Sequence, residues 1–274
     1  TSAANDNNER FRIDSSGNVQ IGATAPISPY SSSSNKLSVY KADGNGGVLE
    51  LGGSTNADAY NAGQILFTNA ANANNTAWQS DSKLVGLIRA ETITTDSNAG
   101  DDSGADLAFY TKAEATAGSL KMMIHGEGYV TKPHHPCFSA KGTSNWISIG
   151  TADGNVNLPM SYELFDNGGN YNNSTYTFTA PVAGKYFFYA QVYFKFDSAS
   201  GYMSNYFTKN NLGSQENHSI WGYSSDAPYQ DQTQTQSCMM ELAANDYVRF
   251  MINAEGDNGD FYGGHCLFSG YLIC

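Results

Sequence analysis

Short runs of apolar and aromatic residues alternate along this chain with clusters of Gly, Asn, Asp and Ser, a pattern that predicts strands joined by tight turns. The clearest signal lies at residues 171–196. Polar and apolar side chains alternate over residues 175–179, as in a half-buried strand. Residues 181–184, Pro-Val-Ala-Gly, favour a turn, because proline fixes φ and glycine accepts positive φ. A second strand, residues 185–196, should follow this turn.

This second predicted strand is apolar on both faces. One face carries Tyr186, Phe188, Ala190, Val192, Phe194 and Phe196. The other carries Phe187, Tyr189 and Tyr193, with Lys185, Gln191 and Lys195 between them. A sheet in an isolated soluble domain usually shows one face to water. We therefore expect one face to pack the core and the other to meet a second layer or another subunit.

The first half of the chain has weaker signals of the same kind. Alternating runs between turn-forming clusters predict short strands at residues 37–40, 48–51, 64–67, 84–88 and 107–110. Helix caps and helical periodicity are weak even at residues 74–84, so almost no helix is expected. One copy of residues 1–130 is poor in core material, which favours a shaft built by several chains together.

One motif occurs twice in the first half. Residues 13–19 (IDSSGNV) match residues 124–130 (IHGEGYV) at the Ile, Gly and Val positions. Each copy predicts a hairpin of two short strands. The two hairpins would flank the region between them, one where the chain enters it and one where the chain leaves.

Composition and charge narrow the possible partners. The 274 residues allow two domains of ~100–200 residues each, and hydrophobic residues make up 40% of the chain. The net charge is −12 at pH 7, which repels nucleic acids and anionic membranes. No apolar run is long enough for a spanning helix, and no secretory signal is visible. We expect no nucleic-acid binding and no membrane insertion, and we expect the chain to be the C-terminal part of a longer protein.

The four cysteines, Cys137, Cys238, Cys266 and Cys274, lack the spacing of a metal site. A chain of this length does not need disulfides to hold its fold, so free, buried thiols are expected. Cys266 and Cys274 are expected to lie on one face of one strand, too far apart for a disulfide.

Five ordered segments of the second half form a recognisable set. They are residues 136–140 (PCFSA), 163–171 (ELFDNGGNY), 178–188 (FTAPVAGKYFF), 242–248 (LAANDYV) and 268–272 (FSGYL). Together they resemble the globular heads of complement C1q and tumour-necrosis-factor (TNF) proteins over residues 133–274. The resemblance implies a jelly-roll fold, and members of this fold are typically trimers that bind ligands through surface loops. It implies a trimer interface formed by Phe187, Tyr189, Tyr193 and Tyr271.

A second resemblance concerns the N-terminal half. Residues 9–22 (ERFRIDSSGNVQIG) are similar to a sequence common in bacteriophage tail fibres, and the strands of residues 37–121 resemble tail-fibre sequence as well. The two resemblances imply an all-β, trimeric chain with three parts. These are a shaft hairpin and linker at residues 1–36, a β-rich shaft or knob domain at 37–131, and a jelly-roll receptor-binding head at 132–274.

Aromatic residues crowd the Gly-, Ser- and Asn-rich segments of the predicted head. Tyr and Trp give rigid contact area with a hydrogen-bonding group, and sugars stack on such rings. We predict a receptor-binding surface formed by Trp221, Tyr223, Asp226, Tyr229, Tyr202 and Tyr206. Packing of these rings inside the head or between subunits is equally open. Residues 221–229 are preferred because their Gly, Ser and Pro residues favour a loop.

Catalysis has little support in the sequence. The carboxylates that would suit a glycosidase pair, ~5–9.5 Å apart, are Asp96, Asp101, Asp102 and Asp106, or Asp257 and Asp260. All lie in turn-forming clusters, where Asp commonly bonds its own backbone. No nucleophile elbow, zinc-protease helix or P-loop motif occurs. We therefore expect that the protein is not an enzyme.

Two metal sites stay open as weaker hypotheses. Asp257 and Asp260 have an oxygen-rich spacing that suits Ca²⁺, although turn formation is the simpler and preferred interpretation. His134 and His135 lie at the predicted junction of shaft and head, where three copies around an axis would gather imidazoles for a transition metal. Ordinary linker histidines are the simpler interpretation, and His125 is interpreted in the same way. No firm metal or cofactor is expected.

The expected function is host attachment by a homotrimeric phage tail fibre. Its head would bind a bacterial surface glycan or protein, and other virion tail proteins would be its remaining partners. Three weak sites on one head would gain avidity on a repetitive surface. We expect assembly in the host cytoplasm and a place at the distal end of the tail fibre in the virion. The alternatives are a tailspike-type polysaccharide depolymerase, a secreted or surface recognition protein with the same head, and a head that serves mainly as a trimerisation clamp.

Overall fold

The computed structural model describes residues 11–13, 15, 19–21, 37–39, 48–53, 57–94, 103–149, 155–196, 202–210, 218–223, 231–255 and 259–274. Strands dominate these ranges, and their only helical segment is a 3₁₀ turn at Gly263–His265. The prediction of an all-β chain is confirmed. No helix in the same ranges is long and apolar enough to cross a membrane. The chain divides into two compact units, Thr1–Thr131 and Lys132–Cys274.

The first unit contains two separate sheets. The smaller consists of β1 (Phe11–Ile13), β2 (Val19–Ile21) and β3 (Leu37–Val39), with β1 and β2 antiparallel and β3 parallel to β2. The larger is an antiparallel meander of β4 (Asn61–Thr68), β5 (Leu84–Ile93), β6 (Gly104–Thr111), β7 (Ser119–Ile124) and β8 (Val130–Thr131).

One of the strand predictions for this unit is wrong. Residues 48–51 are irregular, and Val48, Leu49 and Leu51 are exposed. Their apolar pattern does not produce a strand, because no strand of the described chain pairs with them.

The two copies of the repeated motif form the same hairpin. Ile13 lies opposite Val19 between β1 and β2, and Ile124 lies opposite Val130 between β7 and β8. In the second hairpin Gly128 has a φ of +94°, a conformation that glycine adopts without strain. The backbone of this turn therefore explains the glycine at position 128.

The first unit has little core of its own. Among its described residues, the buried hydrophobic side chains are only Leu87 and Ala108. Three consecutive residues of β4, Ile65, Leu66 and Phe67, are exposed. Because successive strand residues point to opposite faces, β4 presents apolar side chains on both faces. This agrees with the expectation that one copy of residues 1–130 lacks core material.

The second unit packs two antiparallel sheets face to face. The seven-stranded sheet has the order β10-β20-β15-β21-β9-β12, with β18 on the opposite edge of β15. Its strands are β9 (Cys137–Lys141), β10 (Trp146–Ile149), β12 (Tyr162–Asn167), β15 (Gly184–Phe196), β18 (Gln232–Leu242), β20 (Gly259–Tyr262) and β21 (Leu267–Leu272).

The six-stranded sheet has the order β13-β14-β19-β16-β17, and β11 also pairs with β19. Its strands are β11 (Asn155–Asn157), β13 (Tyr171–Asn172), β14 (Thr177–Thr179), β16 (Tyr202–Lys209), β17 (His218–Tyr223) and β19 (Tyr247–Glu255). The predicted strand at residues 175–179 is shorter than expected, because Tyr176 has a φ of +54° and belongs to the preceding turn.

The core lies between these two sheets. On the inner face of β15, all described members of the predicted core set are fully buried, namely Tyr186, Phe188, Ala190, Val192 and Phe194. The ring of Phe188 lies 5.7 Å from Phe178 and 6.1 Å from Phe207, both of the other sheet, measured between centroids. Such aromatic pairs contribute about 0.5–1.5 kcal/mol each beyond their buried area. The aromatic content of β15 and its partners therefore joins the two layers.

Gly184 begins β15 for a reason other than the predicted one. The φ angle of Gly184 is not positive. A Cβ at this position would lie 2.6 Å from the carbonyl oxygen of Cys274. The close approach of the final residues to the start of β15 therefore requires the glycine.

Candidate functional site

The face of the seven-stranded sheet that points away from the core, here called the outer face, carries an apolar row at one end. Phe187 lies opposite Met239 of β18 and Tyr271 of β21. Met239 is 68% exposed and Tyr271 46%, while Phe187 is half-buried with its ring centroid 5.5 Å from that of Tyr271. We call Met239, Phe187 and Tyr271 the apolar row.

The next row along the outer face is more polar. Tyr189, which is half-buried, lies opposite Ser237 and Ser269. The hydroxyls of Ser269 and Ser139 are 2.8 Å apart. This row ends at Phe165 of the edge strand β12, where Tyr162, Leu164 and Phe165 are all exposed. Apolar side chains therefore continue to the edge of the sheet, as they do at surfaces that contact other proteins.

The opposite end of the outer face carries four rings, here called the aromatic patch: Trp146, Tyr193, Tyr262 and His265. The centroid of Trp146 lies 5.4 Å from Tyr262 and 5.8 Å from Tyr193. His265 lies 4.8 Å from Tyr262 and 5.0 Å from Tyr193. Trp146 is 42% exposed and His265 is exposed, so the patch is accessible in the single chain.

Charged and hydroxyl groups border this patch. The ammonium of Lys195 lies 4.5 Å above the Trp146 ring and 3.3 Å from Oδ2 of Asp260, and the Ser148 hydroxyl donates to Oδ1 of the same carboxylate. The hydroxyl of Tyr193 is hydrogen-bonded to Asp231, which raises the pKa of Tyr193. Rings combined with polar groups of both charges can stack on a sugar and bind its hydroxyls.

The sequence prediction missed most of this patch. Only Tyr193 was singled out, and as an interface residue. Trp146, Tyr262 and His265 lie far from Tyr193 in the sequence, and they meet because β10 pairs with β20 and β20 pairs with β15. The alternation of residues 146–149 is the one sequence signal that places Trp146 on a strand face.

The predicted receptor-binding residues lie partly in strands. Trp221 and Tyr223 belong to β17, where a loop was expected, and Tyr202 and Tyr206 belong to β16. The structure places Tyr202 directly opposite Tyr223, and Trp221 opposite Ser204. Tyr206 is half-buried, and burial raises its pKa. Asp226 and Tyr229 lie outside the described residues.

Two of the predicted metal ligands of the second unit, Asp260 and His135, already have other partners. Asp260 is paired with Lys195, which disfavours a bound cation, and its predicted partner Asp257 lies outside the described residues. Nε2 of His135 lies 2.6 Å from the carbonyl oxygen of Leu272, so one ring nitrogen holds the end of β21. His134 is exposed.

The structure describes one member of each set of carboxylates considered for glycoside cleavage, Asp106 and Asp260. Asp96, Asp101 and Asp102 lie outside the described residues. Asp106 belongs to the first unit, where it contacts His125 and accepts a hydrogen bond from the Gly126 amide. Asp260, in the second unit, is paired with Lys195.

All four cysteines are free, as predicted. Cys238 and Cys266 are buried, whereas Cys137 is half-buried and Cys274 exposed, so the expectation of buried thiols is wrong for these last two. Cys266 precedes β21 and Cys274 follows it, so they do not share one strand. Burial raises the pKa of Cys238 to about 12 and that of Cys266 to about 11.

The two-layer antiparallel sandwich defines the second unit as an all-β jelly roll. Residues 147–273 match the family model of the C1q domain. This part of the chain therefore has a C1q/TNF-like jelly-roll fold. Domains of this kind are typically recognition modules and commonly form homotrimers. The strand β9 precedes the matched residues, yet it pairs with both β12 and β21.

Solved structures of such domains align with about half of the chain. The globular domain of zebrafish complement 1qA is 16% identical and covers 51% of this chain and 98% of its own, with a TM-score of 0.37. Eiger TNF from S. frugiperda is 12% identical over 51% of this chain and 93% of its own, with a TM-score of 0.36. Murine APRIL at pH 5.0 is 11% identical and covers 51% of this chain and 99% of its own, with a TM-score of 0.39. None of the curated proteins compared with the chain matches it.

Proposed function

We propose that this chain is a homotrimeric phage tail-fibre adhesin whose C-terminal head binds a receptor on the bacterial surface. The observation that carries the proposal is the outer face of the seven-stranded sheet. It exposes an apolar row at one end and an accessible aromatic patch at the other. The two ends suit two tasks, namely contact with other copies of the chain and recognition of a ligand.

Contact between copies explains the apolar row. Met239 and Tyr271 gain most from leaving water, because burial of apolar surface contributes about 25 cal/mol per Å². The exposed edge strand β12 and the small core of residues 1–131 favour the same arrangement in both units. Three copies are proposed because C1q/TNF-like domains commonly form homotrimers. Tyr189 lies on the same face and would be covered with the apolar row.

Receptor binding is assigned to aromatic side chains of the head. Two groups are candidates. One is the aromatic patch around Trp146, and the other is the pair of strands β16 and β17, whose sequences contain Tyr202, Tyr206, Trp221 and Tyr223. Stacking on rings and hydrogen bonding to the polar groups beside them suit a carbohydrate. With charged residues at 15% of the chain, such binding would depend little on salt.

The tail-fibre assignment rests on the resemblance of residues 9–22 and 37–121. The motif at residues 13–19 and its second copy at residues 124–130 form two hairpins of identical register. In a tail fibre the chain would lie at the distal end of the virion, with other tail proteins as neighbours.

The test is adsorption to host cells. Fluorescently labelled protein should bind susceptible bacteria and not isogenic cells that lack surface polysaccharide. Trp146→Ala tests the aromatic patch, and Trp221→Ala tests the strands β16 and β17. The substitution in the group that binds the receptor should lower the affinity at least tenfold, and the other should not change it. Tyr60→Ala, which removes an exposed ring from the first unit, is the control.

Two results would contradict the proposal. Equal labelling of susceptible and resistant cells would exclude a specific adhesin. Steady release of reducing sugar from purified host polysaccharide would replace the adhesin with a depolymerase.

A further inference from the structure

The geometry points to a divalent metal site in the first unit, formed by Asp106, His125 and Glu127. Asp106 lies on β6, and the other two residues lie in the turn between β7 and β8. One ligand atom from each of the three side chains lies within 4.8 Å of the others. The sequence interpretation of His125 as an ordinary histidine is replaced by this proposal.

Two of the three ligands are held in place by other groups. Nδ1 of His125 faces Oδ2 of Asp106 at 3.1 Å, while the other oxygen of Asp106 accepts the amide of Gly126 at 3.0 Å. Nε2 of His125 is 2.9 Å from the hydroxyl of Thr131. The ring of Tyr129 stacks on the imidazole with centroids 4.3 Å apart. A metal-binding histidine typically has its second nitrogen fixed by a hydrogen bond in this way.

The tautomer of His125 decides what lies between Nδ1 and Asp106. When Nε2 carries the proton and donates to Thr131, the lone pair of Nδ1 faces a carboxylate oxygen, and a cation between the two atoms would replace this repulsion with two bonds. When Nδ1 carries the proton, a hydrogen bond to Asp106 forms instead, and a bound metal would displace that proton.

The surroundings are strongly acidic. The three ligands border a cleft of about 320 Å³ whose wall also includes Asp58 and Glu91. Glu91 is bonded to Arg89 and to the Tyr110 hydroxyl, so its charge is already balanced. No lysine or arginine belongs to the described wall of this cleft. A cation in the cleft would meet uncompensated carboxylates, which favours binding.

The repeated motif shows that the pairing of the two strands does not need these ligands. The first copy reads IDSSGNV and the second IHGEGYV. Both form the same hairpin, with Ile opposite Val. The second copy places His125, Glu127 and Tyr129 where the first has Asp14, Ser16 and Asn18. The imidazole, the carboxylate and the stacking ring are therefore additions to a common scaffold.

The ligand set selects the class of ion. One imidazole nitrogen and two carboxylates suit Zn²⁺ or a similar transition metal, whereas Ca²⁺ and Mg²⁺ prefer oxygen ligands. Ligands about 2.0–2.2 Å from a tetrahedral Zn²⁺ ion are separated by roughly 3.3–3.6 Å. Nδ1 of His125 and Oδ2 of Asp106, which are 3.1 Å apart, would move apart by a few tenths of an ångström to hold the ion. Glu127 is exposed and completes the site by rotating inward.

The experiment is calorimetric titration of ZnCl₂ into the full chain after treatment with a chelator. One ion should bind per first unit. His125→Asn should remove this binding, and Thr131→Val, which only frees the ring of His125, should weaken it about 10- to 100-fold. His134→Asn is the matched control, because it removes an exposed histidine of the second unit and should leave the titration unchanged.

The variants also separate a metal site from loss of structure. Circular dichroism of each variant in chelator should match that of the parent, because the hairpin forms without the ligands in the first copy of the motif. Absence of zinc binding by the parent chain would overturn the proposal. Binding that survives in His125→Asn and disappears in His134→Asn would overturn it as well, and would place the ion at the histidines of the second unit.

Discussion

The ring of Phe187 on β15 packs against the ring of Tyr271 on β21, with centroids 5.5 Å apart, on the face of the sheet opposite the core. On the other side of Phe187 lies Met239 of β18, whose side chain is 68% exposed. In a single chain this arrangement leaves apolar surface in water. Burial of this surface by a second copy would be favourable, and the strength of association between copies measures the gain.

Met239→Asp should weaken the proposed trimer. The aspartate would bring a charge into the contact between copies, and burial of an unpaired charge is strongly unfavourable. The parent chain should have three times the mass of 29.5 kDa, or about 88 kDa. In sedimentation equilibrium over a dilution series, the variant should dissociate at a concentration at least tenfold higher than the parent. Val182→Asp, which alters an exposed residue of the turn before β15, is the control. A parent chain of single-chain mass, or identical dissociation of parent and Met239→Asp, would contradict the interface.

Gly270→Ala should destabilise the head without any change of charge. A Cβ at Gly270 would lie 2.5 Å from Cδ1 of Phe188 and 2.9 Å from Cε1 of Phe138. Both rings are buried in the core, so the added methyl group forces them apart, at a cost of about 1–3 kcal/mol. The free energy of unfolding from urea titration measures this. Gly104→Ala on β6 serves as control, because a Cβ at that position would have no atom within 4 Å. Equal effects of the two substitutions would show that the core of the head accommodates the methyl group.

The inner face of β15 could be predicted from the sequence because strand periodicity is a local property. Every second residue from Tyr186 to Phe194 is apolar, and the same residues are buried. The segment 178–188 was informative for a related reason, since Pro181 follows one core strand and the aromatic residues of the next begin at Tyr186. Local patterns therefore predicted these two strands, whereas the jelly-roll fold was implied by the resemblance of five segments to C1q and TNF heads.

The aromatic patch could not be predicted, because it depends on which strands become neighbours. Trp146 meets Tyr262 through the pairing of β10 with β20, and Tyr193 comes close through the pairing of β20 with β15. The strand wrongly predicted at residues 48–51 shows the converse. An alternating run without a partner strand stays irregular, so pairing over long sequence distances decides both cases.

Cys274 should be the first cysteine to react with iodoacetamide at pH 8. It is exposed, whereas burial raises the pKa of Cys238 to about 12 and that of Cys266 to about 11, and burial also raises the pKa of Cys137. The thiolate is the reactive species, so a raised pKa slows the reaction. Mass spectrometry of the native protein should show one fast modification, which Cys274→Ser removes. In denaturant all four cysteines should react. Rapid modification of Cys238 or Cys266 in the native protein would contradict the buried positions of these thiols.

Asp246 should make the stability of the head depend on pH in the acid range. Its carboxylate accepts hydrogen bonds from the Asn210 amide at 2.5 Å, from the Lys209 ammonium at 2.9 Å and from the Ala243 backbone at 2.8 Å. These contacts lower its pKa from the ordinary 3.8 to about 2. A carboxylate with a lowered pKa in the folded state stabilises the fold above its unfolded pKa, and this contribution is lost as the pH falls towards 2.

Asp246→Asn removes this titration and isolates its effect. At pH 5 the variant should unfold at a lower urea concentration than the parent, because an amide cannot replace the charge beside Lys209. The difference between the two should shrink as the pH is lowered from 4 to 2, since the parent then becomes protonated at Asp246. All other carboxylates are common to both proteins, so their titration cancels in the comparison. A difference that stays constant from pH 5 to pH 2 would show that Asp246 does not hold the turn between β18 and β19 through its charge.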